Sequence, residues 1–284
     1  MEDVTLRLLY GTPVGRAILK ILIRPGLSRA AGRYLDSPLS RWLIAPFIRR
    51  NRIDMAEYEC AAYPSFNAFF TRQKREEYRR FDADPARLIS PCDGFLSAYP
   101  VEEDGRYAVK GVEYSLEELL ADAELAPRFR GGYCFIFRLT PQNYHRYCYV
   151  DDGMSGGRTA IPGVLHCVRP VACERYPVYA QNSREYELIA TENFGEIVQM
   201  EVGALLVGRI RNHPAVGPVR RGEEKGCFEF GGSTIVLLFE RGRVAPDLRI
   251  VENMRLNRET PVRMGERIGE REVREISVDF GDTP

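Results

Sequence analysis

From about Leu88 onward the chain breaks into short β-prone runs separated by turn signals: Gly94–Tyr99, Tyr107–Val109, Tyr133–Leu139, Val164–Val168, Ile197–Val202, Leu205–Ile210 and Thr234–Phe239. Runs of this kind, rich in β-branched and aromatic residues and bounded by Gly, Pro, Asn and Asp, read as strands. Helical patterns intervene only at Ser115–Ala123, where Ser115 and Glu118 have capping-box spacing, and around Ser65–Phe70. Strands without regular helices between them do not build a doubly wound parallel sheet. The fold class is therefore predicted to be α+β, with N-terminal helices followed by a β-rich body of short, mostly antiparallel strands.

The first 60 residues have a different character. Thr12 and Pro13 read as N-cap and first helical position, after which Val14, Ala17, Ile18, Ile21 and Leu22 keep helical spacing until Pro25-Gly26. Arg16, Lys20 and Arg24 stand four apart on another face. A second apolar and basic segment follows Ser37-Pro38, with Trp42, Leu43, Ile44, Phe47 and Ile48 before Arg49-Arg50. Two readings stand for these helices: core packing with solvated charges, or an amphipathic leader lying at a membrane interface. They are compatible if one face serves each purpose. The domain expectation is a helical, basic, membrane-facing leader over 1–60 and a β-rich domain over 61–284.

Charge supports that division. The 40 Lys and Arg balance the 40 Asp and Glu over the 284 residues, so no excess positive field marks the chain for nucleic acid. Residues 1–50 nevertheless carry nine basic against three acidic residues, a local balance of +6. The leader is thus expected to meet an anionic surface. Its longest apolar stretch, Ala17–Ile23, is interrupted by Lys20 and falls far short of the ~20 residues that cross a bilayer. The N-terminus lacks the pattern of a secretory signal. Seven cysteines, an odd number with no C-x-x-C pair, indicate neither a disulfide scaffold nor a zinc site, and no metal is expected. The thiols are expected to be reduced and cytoplasmic.

Few residues offer chemistry. Of the three histidines, His145 follows a strand-like run and is flanked by aromatics and an arginine, His166 lies inside a predicted strand, and His213 precedes Pro214 in a polar loop. Asp93 sits in the turn Ser90-Pro91-Cys92-Asp93-Gly94 that opens a strand. Gly231-Gly232-Ser233-Thr234 leads into the apolar run Ile235–Phe239. Singly, each of these has an ordinary structural explanation.

Their order and spacing together resemble one family, the phosphatidylserine decarboxylases, which are pyruvoyl-dependent, self-cleaving proenzymes. The resemblance spans nearly the whole chain. It is carried by Phe66–Arg72 (FNAFFTR), Ser90–Gly94 (SPCDG), Val109–Gly111 with Tyr114–Leu116, Tyr144–Arg146 (YHR), Ile161–Gly163, Asn182–Glu185 (NSRE), Asn193–Gly195, Val202–Ala204 with Val207-Gly208, and Gly222–Gly226 running into Phe228–Thr234 (FEFGGST). The last is the most specific, because a Gly-Ser-Thr triplet before a buried strand is where the family cleaves itself.

The resemblance implies that Ser233 Oγ attacks the Gly232 carbonyl, which an adjacent glycine leaves sterically open. Elimination and hydrolysis would convert Ser233 to the pyruvoyl group, leaving chains 1–232 and 233–284 associated. The implied cofactor is this covalent pyruvate. It would form a Schiff base with phosphatidylserine, which loses carbon dioxide to give phosphatidylethanolamine. His145, at the family's Tyr-His-Arg position, is implied as the proton donor to the carbanion. The implied location is peripheral, on the cytoplasmic face of the cell membrane, and a homodimer is left open.

One position departs from the family. Its second histidine, which completes a self-cleavage triad with the aspartate and the serine, is Cys148 here. Asp93 and Ser233 match. A thiol of reference pKa ~8.5 beside a carboxylate is a poor base. Three readings follow: His145 or His166 substitutes, Cys148 works slowly, or the chain stays uncleaved. The persistence of every other motif favours a working or slow enzyme. The alternatives are a non-catalytic lipid-binding module on the same scaffold and a pyruvoyl decarboxylase of a soluble amino acid.

Overall fold

A computed structural model describes residues 2–59, 62–204, 209–214, 216–230 and 233–272. The N-terminal part is helical: α1 (Glu2–Gly11), α2 (Pro13–Leu22), α3 (Pro25–Asp36), a 3-10 turn over Pro38–Leu43, α4 (Ile44–Asn51) and α5 (Phe66–Phe70). The caps follow from the sequence. Thr12 accepts from the Gly15 N–H at the start of α2, and Ser65 from the Ala68 N–H at the start of α5. Gly15 is required because a Cβ there would lie 2.1 Å from the Leu8 carbonyl, so only glycine lets α1 and α2 cross so closely.

Pro25 ends one helix and begins the next, since proline suits the first helical position. The helices α1 and α3 are thus additions to the sequence reading. The stripe Val14, Ile18 and Ile21 does not enter the core, standing 72%, 47% and 61% exposed, whereas Leu19 on the other face is buried. Leu8, Leu39 and Trp42 are likewise exposed.

The body is strand-rich. Its first half contains β1 (Arg87–Ile89), β2 (Gly94–Pro100), β3 (Arg106–Val109), β4 (Val112–Ser115), β5 (Tyr133–Leu139), β6 (Arg146–Cys148) and β7 (Gly153–Ile161). There follow β8 (Arg184–Thr191), β9 (Glu196–Val202), β10 (Ile210–Asn212), β11 (Gly217–Val219), β12 (Glu224–Phe228), β13 (Ser233–Phe239), β14 (Val244–Pro246), β15 (Thr260–Val262) and β16 (Arg267–Arg271). The largest sheet has the order β11-β7-β8-β9-β13-β5-β2-β15, and β10-β12-β6 form a smaller one. Every pairing within these two sheets is antiparallel. The fold class read from the sequence holds.

The strand β13 is buried on both faces. Ile235, Leu237 and Phe239 enter one apolar cluster with Phe135 and Phe137, while Val236 and Leu238 enter another with Ile136, Val198 and Met200. This is why its sequence is continuously apolar rather than alternating.

Two strand expectations change. Val164–Val168 is no strand: it makes one parallel bridge, Val164 to Asn182, and the His166 N–H is taken by the Asn182 side chain. Of Leu205–Ile210, residues 205–208 lie outside the described residues and only Ile210 belongs to a strand.

Candidate active site

Register brings the sequence-selected residues to one end of the large sheet. Ser233, the first residue of β13, pairs with Leu139 of β5, and on the other side of β5 Phe95 of β2 pairs with Arg138. Asp93, just before β2, therefore lies about two strand spacings from Ser233, roughly 10 Å between backbones. Cys148 joins the same end, because its N–H donates to the Pro91 carbonyl at 2.9 Å. Gly231 and Gly232 lie outside the described residues.

Ser233 is fully buried and its Oγ has no hydrogen-bond partner among the described residues, an expensive state for a hydroxyl with no structural task. His145 is also fully buried. Its Nδ1 lies 2.9 Å from the Asn143 carbonyl, which can only accept, so Nδ1 carries the proton and Nε2 keeps its lone pair. Nε2 is itself buried without a partner among the described residues.

Burial pushes the His145 pKa down to about 3, and the Arg72 guanidinium adds to this against the Asn143 bond. The imidazole is therefore neutral at physiological pH. Phe70 packs on it with ring centroids 4.0 Å apart. The His145 carbonyl accepts from the Phe228 N–H, which seats the end of β12, five residues before Ser233, beside this histidine.

Asp93 is fully engaged: Oδ2 lies 2.6 Å from Lys74 Nζ and Oδ1 accepts from the Met264 N–H at 2.9 Å. A cleft of about 620 Å³ opens against this pair and is lined by Tyr58, Gln142, Asn143 and Arg263. Cys148 is buried and its thiol is pushed up to about 12 by desolvation, with Asp93 and Glu224 adding to the shift and Arg221 opposing it. It is protonated at neutral pH.

His166 is occupied elsewhere. It packs face to face with Tyr176, with its Nδ1 3.4 Å from the Tyr10 hydroxyl, where it helps dock α1 on the body. His213 is exposed and meets Glu224 at 3.0 Å.

Sequence reasoning missed several buried charges. Arg72 lies over the Tyr58 ring at 4.2 Å with Nε and Nη1 unpartnered among the described residues. Lys225 is fully buried between Glu201 (2.6 Å) and Glu187 (3.4 Å), and Asn212 also donates to Glu201. The signal for the latter was present, since Gln199 and Glu201 alternate with Val198, Met200 and Val202 in a strand buried on both faces. Lys74 has no such signal in its charge-rich surroundings. Among the described residues, no group of three or more His, Cys, Asp or Glu converges as a metal site.

Comparison with known proteins identifies the family. The sequence profile of a family described as phosphatidylserine decarboxylase matches residues 66–270. The chain is 45% identical over 266 residues to phosphatidylserine decarboxylase proenzyme 2 of Clostridium acetobutylicum, covering 93% of this chain and 91% of that protein. It is 40% identical to a phosphatidylserine decarboxylase proenzyme of Clostridium perfringens (92% and 90% covered) and 39% identical to one of Desulfitobacterium hafniense (95% and 92%).

Proposed function

The chain belongs to the phosphatidylserine decarboxylase family, and on that premise we propose that it is a self-cleaving proenzyme that converts phosphatidylserine to phosphatidylethanolamine and carbon dioxide. The observation that carries this reading is that Ser233 Oγ and His145 Nε2 are each buried without a hydrogen-bond partner among the described residues, with the His145 carbonyl bonded to the Phe228 N–H five residues before Ser233.

In processing, His145 Nε2 takes the Ser233 Oγ proton as the oxygen bonds to the Gly232 carbonyl carbon. The Gly232–Ser233 C–N bond then breaks, its nitrogen is protonated, and the link becomes an ester. Removal of the Ser233 α-proton expels the Gly232 carboxylate. Water then replaces the nitrogen, which leaves as ammonia, and the new N-terminus at 233 is a pyruvoyl group. Cys148 has no base role, because its thiol stays protonated.

The fit of that group rests on Ser233 itself: its buried oxygen is unsatisfied, and the surrounding strand is held on both sides by β5 and β9. The pyruvoyl carbonyl supplies the electron sink for loss of carbon dioxide. The chain's own residues do the rest. His145 Nε2 takes up a proton that the substrate ammonium gives up and delivers it to the substrate carbon, Arg72 offers its unpartnered donors to the anionic head group, and the apolar clusters exclude water.

Residues 1–60 form the membrane-facing leader and 61–284 the catalytic domain, peripheral on the cytoplasmic face of the membrane. No helix among the described residues is long and apolar enough to cross a membrane. The exposed stripe of Leu8, Val14, Ile18 and Ile21, with Leu39 and Trp42, supports a lipid substrate over a soluble amino acid. The decisive experiment is decarboxylation of phosphatidylserine vesicles by the purified chain, with Ser233→Ala as control. Carbon dioxide release by the wild type alone supports the reading, and release by neither contradicts it.

A further inference from the structure

The residues just before Gly231 are tied to the helical leader. The Phe230 N–H donates to Asn67 Oδ1 at 3.3 Å, and Asn67 Nδ2 donates to Asp36 Oδ1 at 2.8 Å, at the C-terminal end of α3. Asp36 also binds the Arg209 guanidinium, whose Nε lies 2.8 Å from Glu229 Oε2. The Glu229 N–H donates to the Arg209 carbonyl at 3.2 Å. The Phe230 ring stands edge-on to Phe66 of α5 at 5.0 Å and to Phe47 of α4 at 6.0 Å. The helix α5 is in turn docked on the leader, because the Phe66 N–H donates to the buried Ser40 Oγ at 2.9 Å.

On the far side of the two glycines, Ser233 is fixed by β13. The Gly232–Ser233 bond therefore belongs to a two-residue span with both ends anchored, one by the sheet and one by α3, α4 and α5. Such a span needs anchoring, because glycine samples far more backbone conformations than other residues and attack on the preceding carbonyl requires one narrow set of torsions.

We propose that Asn67 is the positioning residue for self-cleavage, with Asp36 fixing its amide so that the oxygen faces Phe230. This rests on the reading of Gly232–Ser233 as the cleavage site. An amide is the group that accepts from the Phe230 N–H and donates to an ionised Asp36 at once. Burial works to raise the Asp36 pKa, but the bonds from Asn67 and Arg209 outweigh it and hold the group below the ordinary carboxylate range. Asn67 is itself buried. An aspartate at 67 would set two carboxylates face to face, whereas the exchanged pair, Asn67→Asp with Asp36→Asn, keeps one amide and one carboxylate in contact and leaves an oxygen for Phe230.

The test follows processing of cell-free synthesised protein by the appearance of two chains, under conditions where circular dichroism shows every variant folded. Loss of a hydrogen bond to a charged partner predicts that Asn67→Asp slows processing roughly tenfold or more. The exchanged pair should recover most of that rate, which general destabilisation would not explain. A second arm uses uncleavable Ser233→Ala protein and reads hydrogen exchange at the Phe230 amide, which Asn67→Ala should accelerate about tenfold. Unchanged processing in folded Asn67→Asp, no recovery in the exchanged pair, or unchanged Phe230 exchange would each overturn the proposal. If the wild type never yields two chains while Phe230 protection depends on Asn67, the cleavage reading fails and the processing role with it, but the anchor stands.

Discussion

Lys74 Nζ lies 2.6 Å from Asp93 Oδ2, and because the Met264 N–H already holds Oδ1, both oxygens of this carboxylate are engaged. Neither contact comes from residue 148, the position that the resemblance to the family implies for a histidine partner of this aspartate. With 7% and 13% side-chain exposure, the ion pair is largely desolvated. Removing one member of such a pair costs more than the pair itself contributes.

Lys74→Met should therefore destabilise the protein by up to about 3–5 kcal/mol through the unpaired Asp93 charge, and Lys74→Met/Asp93→Asn should recover much of the loss. Denaturant midpoints for the two single variants and the double variant form the cycle that checks this. Additive losses would show that the pair is not coupled.

Cys148→Ala should process at nearly the wild-type rate. With its thiol pushed up to about 12, roughly 10⁻⁵ of Cys148 is ionised at pH 7. A time course of chain separation decides this, and strong slowing would return the thiol to the mechanism.

Burial of neutral His145 has a signed consequence for stability. Between about 3 and the ordinary imidazole value of 6.5 the unfolded imidazole binds a proton that the folded one refuses, so stability falls as pH drops through this window. His145→Gln should remove that part of the slope, a difference on the order of a few kcal/mol across the window. His166, also pushed down by burial, contributes in the same direction in both proteins. Denaturant midpoints between pH 7 and 4 supply the comparison, and parallel slopes would contradict the assignment.

Ile18→Glu/Ile21→Glu places two charges on an exposed face of α2 and should leave the melting temperature nearly unchanged, as surface substitutions usually do. Binding to anionic vesicles should drop, because the apolar stripe can no longer enter the interface. Vesicle co-sedimentation with equal binding by both proteins would remove α2 from the membrane face.

Local chemistry explains what was legible in the sequence. Thr12 and Ser115 are helix caps as their spacing indicated, and the run at Ile235–Phe239 is the doubly buried strand that its unbroken apolarity implied. The Asp93 turn and Ser233 stand at the same end of the sheet. What escaped depended on partners distant in sequence. Pro25 was read as a stop although proline also starts helices, which hid α3. The apolar spacing of Val164–Val168 suggested a strand, but the Asn182 side chain takes the place of a neighbouring strand there. Lys74 meets Asp93 through tertiary packing alone, and Asn67 meets Phe230 across 163 residues of chain.

The central claim is that Ser233 cleaves its own chain and becomes the prosthetic group. Intact mass of the purified wild-type protein tests it most directly. The account predicts two associated chains, residues 1–232 ending in a free carboxylate and residues 233–284 beginning with a pyruvoyl group that blocks Edman degradation, and a single chain for Ser233→Ala. One full-length mass for the wild type after prolonged incubation at neutral pH would contradict it.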